Sequence, residues 1–119
     1  MILWGTGQAA SHEVIPAVAD FNQNGKQITI EIRMTSEAII AGIDLSQVTD
    51  TNASDKSATY DELRALDRDI LAAKFTEIWP QFEQTMTVAQ NDQRLPLTLT
   101  AVRVDPIGNT DIARYTYVT

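Results

Sequence analysis

His12 is the only histidine in the 119 residues, and there is no cysteine, so imidazole or thiolate chemistry has one address. It follows Ala9-Ala10-Ser11. Small residues one and three places before a cut are what signal peptidase reads. Cleavage after Ser11 makes His12 a mature N-terminus. An α-amine and an imidazole then sit together, a nitrogen pair suited to Cu(II) or Ni(II). The chain adds no second histidine and no thiolate, so the capture expected at His12 is weak. Without cleavage, His12 is a polar residue near a chain end.

Oxygen chemistry has two candidate addresses. Asp50, Asn52 and Ser54 alternate like the first ligands of a calcium loop, with Asp61 at the twelfth place. Such a loop needs glycine where Asp55 stands, an apolar residue where Ser57 stands, and a longer bidentate Glu in place of Asp61. The segment therefore reads as a polar loop leading into a helix. Asp61, Glu62, Asp67 and Asp69 supply carboxylates for acid–base work, yet their places at helix starts already account for them. A Ser-His-Asp arrangement would have to use His12. Gly5-Thr6-Gly7 is too short for a phosphate loop. Trp4, Trp79, Tyr115 and Tyr117 are aromatics for a sugar or partner groove, although Trp79 at a helix end reads as core.

The elements that position these groups follow from hydropathy periods. Val14–Phe21 is a weak strand, and Pro16 marks it as an edge or a strand start. Asn24-Gly25 is a hairpin signal. Gln27–Met34 alternates strictly, with Ile28, Ile30, Ile32 and Met34 on one face. Ser36–Gly42 is apolar and too short to assign, and Asp44–Ala58 is loop. Thr59 with Glu62 fits a capping box, and Asp67 is placed to cap a second helix. Ile70, Ala73, Ile78 and Phe82 give that helix an apolar stripe, flanked by Leu71, Phe75 and Trp79. Pro80 is expected to end or kink it. Gln90–Gln93 is a turn. Leu95–Val104 alternates, with Leu95, Leu97, Leu99 and Ala101 on one side and Thr98, Thr100, Val102 and Val104 on the other. After a turn at 105–109, Ile112–Val118 forms the last strand.

No strand–helix–strand alternation appears. The expected fold is α+β and mainly β: an antiparallel, sandwich-like sheet with a helical insert, about residues 60–85, packed on it. Residues 1–11 read as a signal-peptide remnant or flexible arm, and residues 12–119 as one β-rich domain.

Composition narrows the partners. Nine basic residues against 16 acidic ones give a net charge of −7, and the basic residues are scattered. Phosphate binding needs clustered Lys and Arg, so a nucleic-acid partner is not expected. Docking on anionic lipid is disfavoured for the same reason. No stretch approaches the roughly 20 apolar residues that cross a bilayer, so this segment is not expected to insert itself.

Four segments carry a resemblance. They are His12-Glu13-Val14-Ile15-Pro16-Ala17 behind the small-residue cleavage site, Ser36-Glu37-Ala38-Ile39-Ile40-Ala41-Gly42-Ile43, Tyr60-Asp61-Glu62-Leu63-Arg64-Ala65-Leu66, and Pro106-Ile107-Gly108-Asn109-Thr110 followed by Ala113-Arg114. In this order they are similar to the N-terminal extracytoplasmic domain of HupE/UreJ-type bacterial membrane proteins. The resemblance implies a signal peptide, this β-rich domain in the periplasm, and membrane helices tethering it to the inner membrane. It implies a non-enzymatic role assisting nickel or cobalt transport or assembly, through contacts with membrane-embedded helices of the same or a partner protein, or through weak metal capture. The resemblance implies no cofactor in this domain, and a nickel, cobalt or copper ion at His12 rests on the residues there alone. The family's metal-handling residues lie in its membrane part and have no counterpart here. The other reading is a stand-alone secreted β-sandwich that binds a protein or glycan through its aromatics.

Overall fold

The structure, a computed structural model, describes residues 16–43 and 56–119. His12, Trp4 and the loop positions Asp50, Asn52, Ser54 and Asp55 lie outside the described residues.

Two strands open the chain, β1 (Val18–Asn24) and β2 (Gln27–Met34). Gly25 and Lys26 form the loop between them, since Asn24 pairs with Gln27. Gly25 takes φ 63°, which glycine adopts without a Cβ clash. Positive φ at the first loop residue alone is the pattern of a type II′ turn, whose twist matches a hairpin. The turn thus sits one residue later than Asn-Gly suggests. β1 is correspondingly shifted from the expected Val14–Phe21 and pairs with β2 up to the turn.

Next come α1 (Ser36–Ala41), α2 (Ser57–Arg64) and α3 (Arg68–Glu83). A short hairpin follows, β3 (Ala89–Gln90) and β4 (Gln93–Arg94), then β5 (Val102–Val104) and β6 (Thr116–Val118). Asn91 and Asp92 both have positive φ, which makes the predicted turn at 90–93 type I′. The main sheet has order β1-β2-β6-β5 with every pair antiparallel. The fold is therefore α+β, an antiparallel sheet with a helical insert against it.

The insert runs from Ser57 to Glu83. Thr59 does not cap α2. It lies inside the helix, whose N-cap position is Lys56. The Lys56 ammonium instead donates to the Gly42 carbonyl at 3.0 Å, tying the start of α2 to the end of α1. Asp67 does cap α3, accepting from the Asp69 amide at 3.0 Å.

The buried stripe of α3 is rotated from the expected one. Leu71 and Phe75 are fully enclosed, Ile78 and Phe82 follow at helical spacing, and Ile70 is 51 % exposed. Phe75 packs with Met34 of β2 and Val118 of β6, and Leu71 with Val104 of β5. Pro80 does not end the helix, which continues to Glu83. Phe82, beyond the proline, meets Phe75 edge-on at 5.4 Å and Trp79 at 6.1 Å. Those contacts hold the last turn in line although Pro80 has no N–H to donate.

Leu95–Val104 is not one continuous strand. Thr100 and Ala101 both donate their amides to the Thr119 carbonyl, at 2.8 and 3.2 Å. Two residues facing one is a β-bulge, and the extra residue reverses the alternation. Leu95, Leu97 and Leu99 are half-buried before the bulge, and Val102 and Val104 turn inward after it. Leu99 on one side of the bulge and Val102 and Val104 on the other thereby all pack on the core. The last strand is likewise shorter than predicted. Only Thr116–Val118 pair, because the chain before them forms a loop around Arg114.

Candidate functional site

Two features emerge, a buried ionic cluster and an open apolar groove. The cluster begins with Glu37, in the first turn of α1 and fully enclosed. Arg114 Nε donates to its Oε2 at 2.6 Å, with the two side chains 2 % and 0 % exposed. Arg114 Nη2 donates to the carbonyls of Leu63 and Leu66 at 3.2 and 2.9 Å. A cation there meets the negative end of α2. Arg114 Nη1 reaches the Asp105 carbonyl at 3.5 Å. Arg64, also buried, holds the other side of the same loop. Its Nε and Nη2 donate to the carbonyls of Ile112 and Asn109, both at 2.9 Å. Ser36 and Thr116 join their hydroxyls at 2.6 Å and tie α1 to β6.

The electrostatics are those of charges removed from water. Burial lowers the Arg64 pKa, and neighbouring Arg114 lowers it further. Burial and the Glu37 carboxylate push the Tyr60 phenol up to about 12. Glu37 Oε1 and Arg64 Nη1 are buried without a hydrogen-bond partner among the described residues. The arrangement clamps backbone. Its guanidinium groups are spent on backbone carbonyls and on the Glu37 carboxylate.

The groove lies on the sheet face that carries Ile28, Ile30 and Ile32. Phe21 stands opposite Ile30 and so shares that face. Trp79, Met86, Val88 and Leu97 also line it, around about 490 Å³. None of the lining side chains is ionisable, in a chain that is 21 % charged. Phe21 is 63 % exposed and Ile28 36 %. An uncharged, mostly apolar and open concavity suits an apolar segment of a partner.

The predicted residues are placed as follows. Asp61, Glu62, Asp67 and Asp69 are exposed, and Asp67 is engaged as a cap. Among the described residues no three His, Cys, Asp or Glu side chains are grouped to hold a metal. Trp79 belongs to both the core and the groove. Tyr115 and Tyr117 share the opposite face of the sheet at 6.1 Å, with the Arg103 guanidinium 3.9 Å above the Tyr117 ring. No helix among the described residues is long and apolar enough to cross a membrane.

Glu37, Arg64, Arg114 and Tyr60 were not singled out as a group by their sequence. The available signal was a charged residue inside an apolar run, Glu37 before Ala38-Ile39-Ile40, and it names no partner. No family model, curated protein or solved structure matches this chain.

Proposed function

We propose that this chain is a non-enzymatic, extracytoplasmic domain of a HupE/UreJ-like membrane protein, assisting nickel or cobalt transport or its assembly through protein contacts. One observation carries the reading. Three of the segments that resemble the family, far apart in sequence, meet in one buried cluster. Arg114 of the last segment bonds Glu37 of the second and the Leu63 and Leu66 carbonyls of the third. Arg64 of the third returns to Asn109 of the last. A resemblance spread over the chain thus corresponds to a single structural unit. The uncharged groove supplies the contact surface, and membrane-embedded helices of the same or a partner protein are its natural class of partner. Weak capture of nickel, cobalt or copper at His12 is the accompanying metal role.

The test uses the absence of cysteine. Lys26→Cys adds one thiol on the exposed hairpin turn, and labelling is read as the difference from the same full-length protein without the substitution. Labelling of intact cells by a membrane-impermeant maleimide supports the reading, and labelling only after lysis defeats it. Nickel accumulation in cells carrying an in-frame deletion of residues 16–119 is expected to fall, and an unchanged level removes the transport role. Calorimetric titration of protein beginning at His12 with Ni(II), Cu(II) and Co(II), beside His12→Ala, tests the metal part. Heat lost in the variant supports capture, and its retention or absence in both rejects it.

A second reading, a stand-alone binding module for a protein or glycan, is favoured by the Tyr115–Tyr117 pair under Arg103. Weakened binding to a glycan array after Tyr117→Ala would select it.

A further inference from the structure

β1 is the outer strand of the sheet, seven residues long and exposed throughout. It makes no backbone hydrogen bond beyond its pairing with β2 among the described residues. Natural edge strands are commonly guarded by lysine, by proline or by a bulge. Val18–Asn24 contains none of these, Asp20 is its one charged side chain, and its register with β2 is unbroken.

The register fixes which groups face outward. The two-residue loop makes Asn24–Gln27 a hydrogen-bonded pair, and bonded pairs alternate along an antiparallel ladder. Asn22 and Asp20 therefore spend their amides and carbonyls on β2. Those of Ala19, Phe21 and Gln23 point to the open edge.

We propose that this edge pairs with the same edge of a second copy, antiparallel about a two-fold axis at Phe21, to form one eight-stranded sheet. The sequence of β1 is self-complementary in that register. Phe21 meets Phe21, and Ala19 meets Gln23 twice, so all three outward residues of each copy find bonding partners. Asp20 then faces Asn22 of the other copy twice, a carboxylate opposite a carboxamide donor. In one copy alone Asp20 stands opposite Glu31, a like-charge pair. The pairing sets the two Asp20 carboxylates at diagonal positions on one face, about 7–8 Å apart, a like-charge term that weakens association at low salt. The two-fold leaves the apolar faces on the same side, so the two grooves join across the Phe21 pair. The interface is small, and association depends on concentration.

The experiment mixes two single-cysteine forms of the otherwise cysteine-free chain, Asp20→Cys and Asn22→Cys. Directly opposed, non-hydrogen-bonded positions come within disulfide reach. Under mild oxidation the disulfide is expected between the two forms and several-fold less within either one. Light scattering of the unmodified protein is expected to rise towards twice the monomer mass as concentration increases. Phe21→Lys, which sets two ammonium groups against each other at an already exposed position, is expected to restore the monomer mass with an unchanged circular dichroism spectrum. A monomer up to millimolar concentration, equal crosslinking in the unmixed samples, or a dimer that survives Phe21→Lys each overturns the proposal. A monomer whose β1 amides become protected only when an extended apolar peptide is added also overturns it, and assigns the edge to a foreign strand.

Discussion

Arg114 donates Nε to Glu37 Oε2 at 2.6 Å across 77 residues of sequence, with both side chains almost wholly out of water. Removing one member of such a pair leaves the other charge buried and unanswered, at about 3–5 kcal/mol. Glu37→Ala is expected to cost that much in urea unfolding, a large share of the stability of a domain this size. A double-mutant cycle with Arg114→Met should give a coupling energy of about 0.5–3 kcal/mol. Additive losses would mean that the ion pair is not the unit.

Tyr60 gives the fold an alkaline limit. Its phenol titrates near 12 when folded, against 10.0 for the model compound, because burial and Glu37 oppose the phenolate. A raised acid pKa means that the folded state holds its proton more tightly. The associated stability is complete below pH 10 and is lost as pH rises through 12. Denaturant midpoints of the native protein should fall over that window. Those of Tyr60→Phe should fall less, and identical slopes would remove Tyr60 from the alkaline transition.

Gly42 closes α1 at φ 80°, with its amide on the Ile39 carbonyl and the next amide on Ala38. These are the bonds of a Schellman cap, which favours glycine at this left-handed position. A Cβ there would meet Lys56 Nζ at 3.1 Å, the mobile end of a side chain, so backbone conformation sets the cost. Gly42→Ala is expected to lower stability by about 1–2 kcal/mol in thermal or urea melts.

Pro80 lies in the last turns of α3 on an exposed position. Pro80→Ala restores a donor to the Thr76 carbonyl and removes the ring clash. It should raise stability by about 1–3 kcal/mol, read as a higher urea midpoint. A loss instead would show that the aromatic cluster depends on a bend at this residue.

The limits of β2, the Asp67 cap and the turn at 90–93 were legible because each is governed by residues within a few places of one another. Strict alternation sets a strand, a carboxylate before a helix finds its own amides, and Asn-Asp tolerates positive φ. Thr59 shows where local signals mislead. It satisfies the capping-box pattern, yet the N-cap of α2 lies three residues earlier, at Lys56. Leu95–Val104 shows a second limit. One bulge at Thr100–Ala101, fixed by the Thr119 carbonyl, exchanges the two faces of an otherwise regular period.

The sequence by itself determined the class of fold, the hairpins, the cap of α3 and the acidic balance of charge. Tertiary structure decided which of its charges leave the solvent and which of its apolar residues stay in it. Arg64 and Arg114 differ in no local way from charges on a surface, Glu37 differs only by the apolar run beside it, and Phe21 and Ile28 differ in no local way from core. Hydrogen bonding along the chain is settled between neighbours. Desolvation and ion pairing depend on which distant segments pack over a residue, and here those segments lie as far apart as α1 and the loop before β6.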